Sequence, residues 1–355
     1  MRLFECQSCG QVLFFDNQHC GRCGERLGYL PTLGELSALE ANGSTWEALA
    51  KPGVQWKFCA NASYLVCNWV LPACSPEHFC VACRHNRMVP DLSAGSNLQS
   101  WSKMEMAKHR LFYALLQLGL PTPNRRDDPD GGLVFDFLTD SEGPHGGKVM
   151  TGHEDGLITL AVAEADDAER ESRRARMGEP YRTLLGHFRH EVGHFYWDVL
   201  IRDGGRIGDF RAVFGDERDD YGKALKRHYA DGAPADWQSR FVSAYAGSHP
   251  WEDWAETWAH YLHIVDGLET ALAFGLEIHP TVDPDHALET GPGVDPYGRE
   301  QFETLVHRWL PLTIALNAMN QSMGLNDLYP FVLSPAVIMK LTFIHKIVHE
   351  SAADE

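Results

Sequence analysis

Two histidines four residues apart enclose a glutamate in the segment HEVGH, at residues 190–194. On an α-helix, residues i and i+4 share a face, so the imidazoles of His190 and His194 can reach one metal ion. Glu191 follows the first histidine and can accept a proton from a metal-activated water molecule. The spacing therefore predicts a zinc site for hydrolysis, with Glu191 as the general base.

The predicted zinc site needs a third protein ligand. A histidine at position 200 would complete one common class of zinc peptidase, but this position is leucine, which excludes that class. The other common ligand is a glutamate on a later helix. The segment WEDWAETWAHYLH offers Glu252 and Glu256, and we assign Glu252 as the ligand and Glu256 as the carboxylate that holds a ligand histidine. The reverse assignment stays open, as does the alternative that both are ordinary surface acids.

Four cysteines in the first 30 residues form two C-x-x-C pairs, each beside glycines. Each pair can form a tight knuckle, and two knuckles supply the four thiolates of a tetrahedral zinc site. The segment between the pairs contains VLFF and is expected to form a short hairpin between them. The expected ligands of this structural zinc are Cys6, Cys9, Cys20 and Cys23.

A second group of five cysteines follows at residues 59–83, and it contains a single C-x-x-C pair. Four of the five can form another zinc site. We favour the set without Cys74, which is then a buried or a free thiol, although the choice of the omitted cysteine stays open. The expected ligands are Cys59, Cys67, Cys80 and Cys83, so the sequence predicts one catalytic and one or two structural zinc ions.

No cysteine follows residue 83, which separates an N-terminal metal-bound region from a C-terminal body. We expect a zinc ribbon at residues 1–30, a connector with the second cysteine group at 31–95, and a zincin-like metallopeptidase domain at 96–355. Within the connector, residues 31–58 contain scattered proline and glycine and are expected to be a mixed linking segment.

The C-terminal body shows mainly helical patterning. Apolar residues at helical spacing predict a helix at 98–118, and short apolar runs predict strands at 133–138 and 157–163. The charged segment 164–176 is expected to be solvated. The fold class is therefore expected to be α+β, a zinc-ribbon region followed by a mostly helical domain with a small sheet.

The HEVGH motif lies in a predicted helix at 181–201, with Pro180 at its start and glycines just past its end. Apolar residues on most sides of this helix predict burial, where the histidines need a partner such as a metal. A second helix is expected to begin near Pro250 and to carry both glutamates, and helical patterning continues over 301–346.

The composition limits the choice of partners and compartment. The net charge is −18, which disfavours nucleic-acid binding. The sequence contains no apolar run long enough to cross a bilayer and no apolar signal-peptide core after the initial MRLFECQSCG. Together with the paired cysteines, this predicts a cytoplasmic protein without a membrane partner.

The motifs also carry a family resemblance. HEVGH followed by EDWAE resembles the gluzincin clan, and Tyr245 lies seven residues before Glu252, as a tyrosine does in the anthrax lethal factor, a gluzincin. More closely, most of the chain resembles a bacterial family of zinc-binding metallopeptidases with an N-terminal zinc ribbon. The matching stretches are CNWVLP, FCVACRHNRMVPDLS, GLITL, GEPYRTLLGHFRHEVGHFYWD, FGDERDDY and FVSAYAGSHPWEDWAETWAHYLHIVD.

This resemblance implies zinc-dependent hydrolysis of a peptide or protein substrate. Tyr245 is then expected to donate a hydrogen bond to the oxyanion, although a packing role for this residue stays open. By analogy with zincins, the strand at 157–163 is expected to border the cleft and to pair with extended substrate. The alternative is a metal-stabilised interaction protein whose ribbons bind a partner protein while the zincin body is inactive. Glu191 argues against it, because a structural zinc needs no base.

Overall fold

A computed structural model of the chain describes residues 1–140, 147–177, 179–291 and 293–351. The chain divides into two compact units, Met1–Ala175 and Arg176–Glu355. The first contains the sheets and both cysteine groups, and the second is helical, which confirms the expected α+β class. Among the described residues, no helix has both the length and the apolar character that a membrane span requires.

The N-terminal hairpin surrounds the first cysteine pair. Strand β1 (Phe4–Glu5) pairs antiparallel with β2 (Val12–Leu13), and Cys6 and Cys9 lie in the turn between them. The hairpin was expected between the two cysteine pairs, and that placement is wrong. The first knuckle itself reverses the chain, so the strands that pair are the two that flank it.

Residues 31–58, expected as a linking segment, are mostly strand. They belong to a five-stranded antiparallel sheet whose strands follow chain order, with Leu39, Trp56 and Val70 in its core. Gly34 and Gly43 have positive φ values of 61° and 62° and lie between successive strands, so they permit sharp turns there rather than a long loop. The strands are β3 (Arg26–Leu30), β4 (Glu35–Asn42), β5 (Thr45–Ala48), β6 (Lys51–Phe58) and β7 (Val70–Pro72).

The first unit also contains a four-stranded sheet in the order β10-β11-β9-β8. Strand β11 pairs with β9 on one side and β10 on the other, so its hydrogen-bonding edges are both occupied. Residues 157–159 therefore have no free edge for a substrate strand, and the expected pairing of this strand with extended substrate is wrong there. Its expected place at the border of the cleft stays a prediction. The strands are β8 (Asn86–Met88), β9 (Val134–Leu138), β10 (Gly152–Glu154) and β11 (Leu157–Ala161).

Two helices accompany this sheet in the chain. Helix α1 (Asn97–Gln117) matches the helix expected at 98–118. The charged segment forms α2 (Asp167–Met177), where Arg173 pairs with Glu169 four residues earlier at 2.7 Å. Charges of both signs at this spacing support an exposed helix.

The second unit is mainly helical. The HEVGH helix α3 begins at Leu184 rather than 181, because the Thr183 side chain accepts a hydrogen bond from the Gly186 amide and caps it there. Pro250 occupies the first turn of α7, as expected. The helices are α3 (Leu184–Trp197), α4 (Ile207–Phe214), α5 (Tyr221–Asp231), α6 (Trp237–Arg240), α7 (Pro250–Ala273), α8 (Phe302–Ser322) and α9 (Pro335–Ser351).

Helices α3 and α7 cross at Gly193. A Cβ atom at Gly193 would lie 3.1 Å from Ala255 Cα and 3.2 Å from Trp258 Cβ, so an added side chain would have to push α7 away. The Gly193 carbonyl accepts a hydrogen bond from Trp254 Nε1 at 2.8 Å, and the Tyr196 ring stacks on Trp258 with centroids 4.8 Å apart. This close crossing sets the two motif helices side by side.

Because of this close crossing, a side chain added at Gly193 should destabilise the protein more than one added at Gly208. Gly193→Val should lower the free energy of unfolding by about 1–3 kcal/mol, because the branched side chain pushes α3 away from α7. Gly208→Val on α4 is the matched control, since a Cβ atom at Gly208 would meet no atom of a neighbouring element within 4 Å, and its effect should stay within about 0.5 kcal/mol. Denaturant unfolding measures both. Equal losses in the two variants would contradict a tight crossing at Gly193.

Candidate active site

Helices α3 and α7 bring the three predicted zinc ligands together. The Oε2 atom of Glu252 lies 3.1 Å from His190 Nε2 and 3.6 Å from His194 Nε2. All three potential ligand atoms lie within 4.8 Å of one another. Two imidazole nitrogens and one carboxylate oxygen form the donor set of many catalytic zinc sites.

The environment of Glu252 fits a bound cation. This side chain is buried, at 1% exposure, and its Oε2 atom accepts no hydrogen bond from the residues that the structure describes. Burial raises the pKa of Glu252, but the neighbouring imidazoles of His194 and His190 outweigh burial and hold the pKa well below its usual range. A buried, ionised carboxylate needs positive charge nearby, which either protonated imidazoles or a divalent cation between the three side chains can supply.

Glu256 lies behind His190 and outside the ligand group. Its Oε1 atom is 2.8 Å from His190 Nδ1, and its Oε2 atom accepts a hydrogen bond from Ser243 Oγ at 2.6 Å. A proton held on Nδ1 by Glu256 would leave His190 Nε2, which faces Glu252, as the ring nitrogen that binds a metal ion. Glu256 can therefore orient His190, whose other ring nitrogen faces Glu252.

Glu191 is buried beside His190 and His194. Burial is the main reason that its pKa is raised above the usual value for a glutamate, although the imidazoles of His190 and His194 act in the opposite direction. A carboxylate with a raised pKa is a more effective proton acceptor near neutral pH.

Two tyrosines lie near the ligand group, and the sequence predicted only one of them. The ring centroid of Tyr245 is 6.0 Å from that of His190, and burial and the charge of Glu252 raise the pKa of its hydroxyl. Tyr221, on α5, donates a hydrogen bond to Glu252 Oε1 at 2.5 Å. The stretch FGDERDDY contains Tyr221, but no spacing rule connects it with the motif.

A buried ion pair lies one residue before the motif. The guanidinium of Arg189 pairs with the carboxylate of Asp266 and also contacts His263, so it joins α3 to α7. The hydroxyl of Tyr297 donates to the same carboxylate. Sequence reasoning missed this pair, although an arginine inside an apolar helix indicates a buried partner.

The first cysteine group has the dimensions of a zinc site. The sulfur of Cys6 lies 3.7 Å from that of Cys23, and the sulfur of Cys9 lies 3.6 Å from that of Cys20. Four sulfurs at tetrahedral zinc bonds of about 2.3 Å lie roughly 3.8 Å apart. The structure therefore brings together all four cysteines predicted for this site.

The second cysteine group is buried and is supported by α1. Cys59, Cys67, Cys80 and Cys83 form the group, and Cys74 is exposed. The sulfurs of Cys67 and Cys80 are 3.8 Å apart, which is again the tetrahedral spacing.

Helix α1 adds two side chains to this group that sequence reasoning missed. His109 Nε2 lies 3.4 Å from the Cys67 sulfur and 3.5 Å from the Cys83 sulfur, and Glu105 Oε2 lies 3.5 Å from the Cys83 sulfur. Their i, i+4 spacing places both side chains on one helix face, where the buried Lys108 also pairs with Glu105 at 2.9 Å. An imidazole N–H there can donate to two thiolates and orient them.

Comparison with protein-family models gives two matches. Residues 97–347 match a family described as "Putative zinc-binding metallo-peptidase". Residues 3–94 match a zinc-ribbon domain.

Similar proteins occur in mycobacteria. One protein from Mycobacterium bovis and two from strains of Mycobacterium tuberculosis, all described as uncharacterized, are each 43% identical to this chain over 355 residues. The alignments cover 100% of this chain and 97% of each relative. No solved structure matches the chain.

The geometry of the second cysteine group predicts which of the five cysteines at 59–83 bind zinc. Purified wild-type protein should contain three zinc ions per chain, and Cys80→Ser should lose one because it removes a buried ligand of the second cysteine group. Cys74→Ser is the matched control and should retain all three, since Cys74 is exposed and lies outside that group. Elemental analysis counts the ions. Loss of zinc in Cys74→Ser but not in Cys80→Ser would refute this ligand set.

Proposed function

Since the chain belongs to the zinc-binding metallopeptidase family that residues 97–347 match, we propose that it hydrolyses peptide bonds by the gluzincin mechanism. One observation carries the proposal. Glu252 Oε2 is buried without a hydrogen-bond donor among the described residues, and it converges with the Nε2 atoms of His190 and His194 next to the buried Glu191.

His190, His194 and Glu252 would hold the zinc, and Glu256 would keep His190 in the tautomer that binds it. A zinc ion held there supplies a Lewis acid that activates water and polarises the substrate carbonyl. Glu191 accepts a proton from the attacking water and returns it to the leaving amine. Its raised pKa suits both transfers, because the group must first take up and then release the proton.

In this mechanism Tyr245 stabilises the negative charge that develops on the substrate oxygen, in addition to the Lewis acid. Its hydroxyl keeps its proton, because burial and the charge of Glu252 raise its pKa. The hydroxyl can therefore donate a hydrogen bond to the substrate oxygen as negative charge develops there. The position of the ring, near that of His190, supports this role.

The alternative is an inactive zincin body that serves as a scaffold. A zinc ion with a purely structural role is held by four protein ligands and needs no base. Here the converging group has three potential ligands, and a buried carboxylate with a raised pKa lies beside it. These two features favour hydrolysis of a peptide or protein substrate.

Replacing the proposed base tests the function directly. Glu191→Gln should keep its zinc but lose kcat by roughly 10² to 10⁴, because the amide cannot accept the proton. Glu303→Gln, an exposed change on α8, is the matched control and should retain activity. Turnover on a peptide library and zinc content are measured together. Hydrolysis by Glu191→Gln at the wild-type rate would contradict the mechanism.

The proposed oxyanion donor has its own test. Tyr245→Phe should lower kcat by roughly 10² or more while zinc content and the unfolding midpoint stay unchanged, because it removes only the donor. Steady-state kinetics on the same peptides measures the change. A nearly normal kcat would assign Tyr245 to packing alone.

A further inference from the structure

The proposed mechanism makes no use of Tyr221, although this residue directly contacts Glu252, one of the proposed zinc ligands. Tyr221 is the first residue of α5, and the preceding Asp220 caps this helix by accepting a hydrogen bond from the Lys223 amide at 2.9 Å. Its hydroxyl donates to Glu252 Oε1 at 2.5 Å. A phenol is protonated near neutral pH, so the hydroxyl is the donor and the carboxylate the acceptor.

The two oxygens of Glu252 therefore have separate partners. Oε1 accepts the hydrogen bond from Tyr221, whereas Oε2 faces the Nε2 atoms of His190 and His194. A free carboxylate can rotate and offer a metal either oxygen or both. With Oε1 held, Glu252 offers one defined oxygen to the ligand group.

The ring of Tyr221 is held from two sides. Its centroid lies 5.3 Å from that of His249 and 5.8 Å from that of Trp251, both in edge-on contact. His249 caps α7 by accepting a hydrogen bond from the Trp251 amide at 3.1 Å, and its other ring nitrogen lies 3.0 Å from the Asp219 carbonyl. The beginnings of α5 and α7 are thus tied together where the phenol reaches Glu252.

The rest of α5 has few buried contacts. Within this helix, which the structure describes completely, Ala224 is the one buried residue. An exposed helix of eleven residues is marginal without tertiary contacts. The hydrogen bond from Tyr221 to Glu252 is one attachment of α5, and the ring contact of His228 with Tyr245, at 5.8 Å between centroids, is another.

We propose that Tyr221 is a positioning residue that fixes Glu252 with a single oxygen directed at the zinc site and so couples α5 to metal binding. This inference rests on the zinc-binding part of the proposed function and not on peptide hydrolysis. Groups that orient a metal ligand in this way contribute about 10- to 100-fold to metal affinity.

Zinc affinity tests this role. Tyr221→Phe should weaken binding of the zinc at His190, His194 and Glu252 by about 10- to 100-fold, because it deletes one hydroxyl and keeps the ring. Tyr229→Phe is the matched control on the same helix, at 64% exposure, and should bind within about threefold of wild type. Competition with a chelator measures the affinity, in protein whose cysteine groups retain their zinc. Affinity of Tyr221→Phe equal to that of wild type would overturn the proposal.

A double-mutant cycle separates positioning from a general loss of folding. In a Glu252→Ala background the hydroxyl has no carboxylate to hold, so adding Tyr221→Phe should not weaken residual zinc binding further. An equal loss in both backgrounds would overturn the proposal, because Tyr221 would then act without Glu252. Absence of peptide hydrolysis by the wild type would count against the proposed function alone, since affinity is measured without turnover.

Discussion

The buried carboxylate of Glu252 constrains the second unit, because its charge must have partners from the neighbouring helices. It is buried at the beginning of α7, facing two histidines of α3, and such a charge is stable only with partners. Oε1 accepts a hydrogen bond from the Tyr221 hydroxyl, and Oε2 faces the position that a cation would occupy. The close crossing at Gly193 and the buried pair of Arg189 with Asp266 keep the two helices near enough for this arrangement.

The chain combines two kinds of candidate metal site with different chemistry. The cysteine groups offer four thiolates each, which is typical of closed structural zinc, whereas two histidines and one glutamate would leave the fourth coordination position of a zinc ion open. The family matches and the compact units divide the chain differently. The metallopeptidase match begins at residue 97, yet α1 belongs to the first unit, where His109 contacts the second cysteine group. The residues of α1 therefore support a thiolate site although they belong to the metallopeptidase match.

Sequence reasoning was most effective where chemistry requires a short, fixed spacing. HEVGH and the C-x-x-C pairs depend on local backbone geometry, so their residues could be named in advance. Spacing leaves the roles of Glu252 and Glu256 open, since both lie on one helix face, and the proposed assignment rests on the contact of Glu256 with His190 Nδ1. Tyr221 is 31 residues from its acceptor Glu252, and no periodicity encodes such a contact. Residues 31–58 were misread because glycines that form tight turns between strands resemble those of a linker.

The central claim is that zinc binds between α3 and α7 through His190, His194 and Glu252. X-ray diffraction from crystals of the full chain, recorded on both sides of the zinc absorption edge, tests it most directly. The account predicts an anomalous peak within bonding distance of both Nε2 atoms and Glu252 Oε2, with Glu256 at His190 Nδ1. Peaks in the two cysteine groups but none between the helices, or a peak bound by Glu256 in place of Glu252, would contradict it.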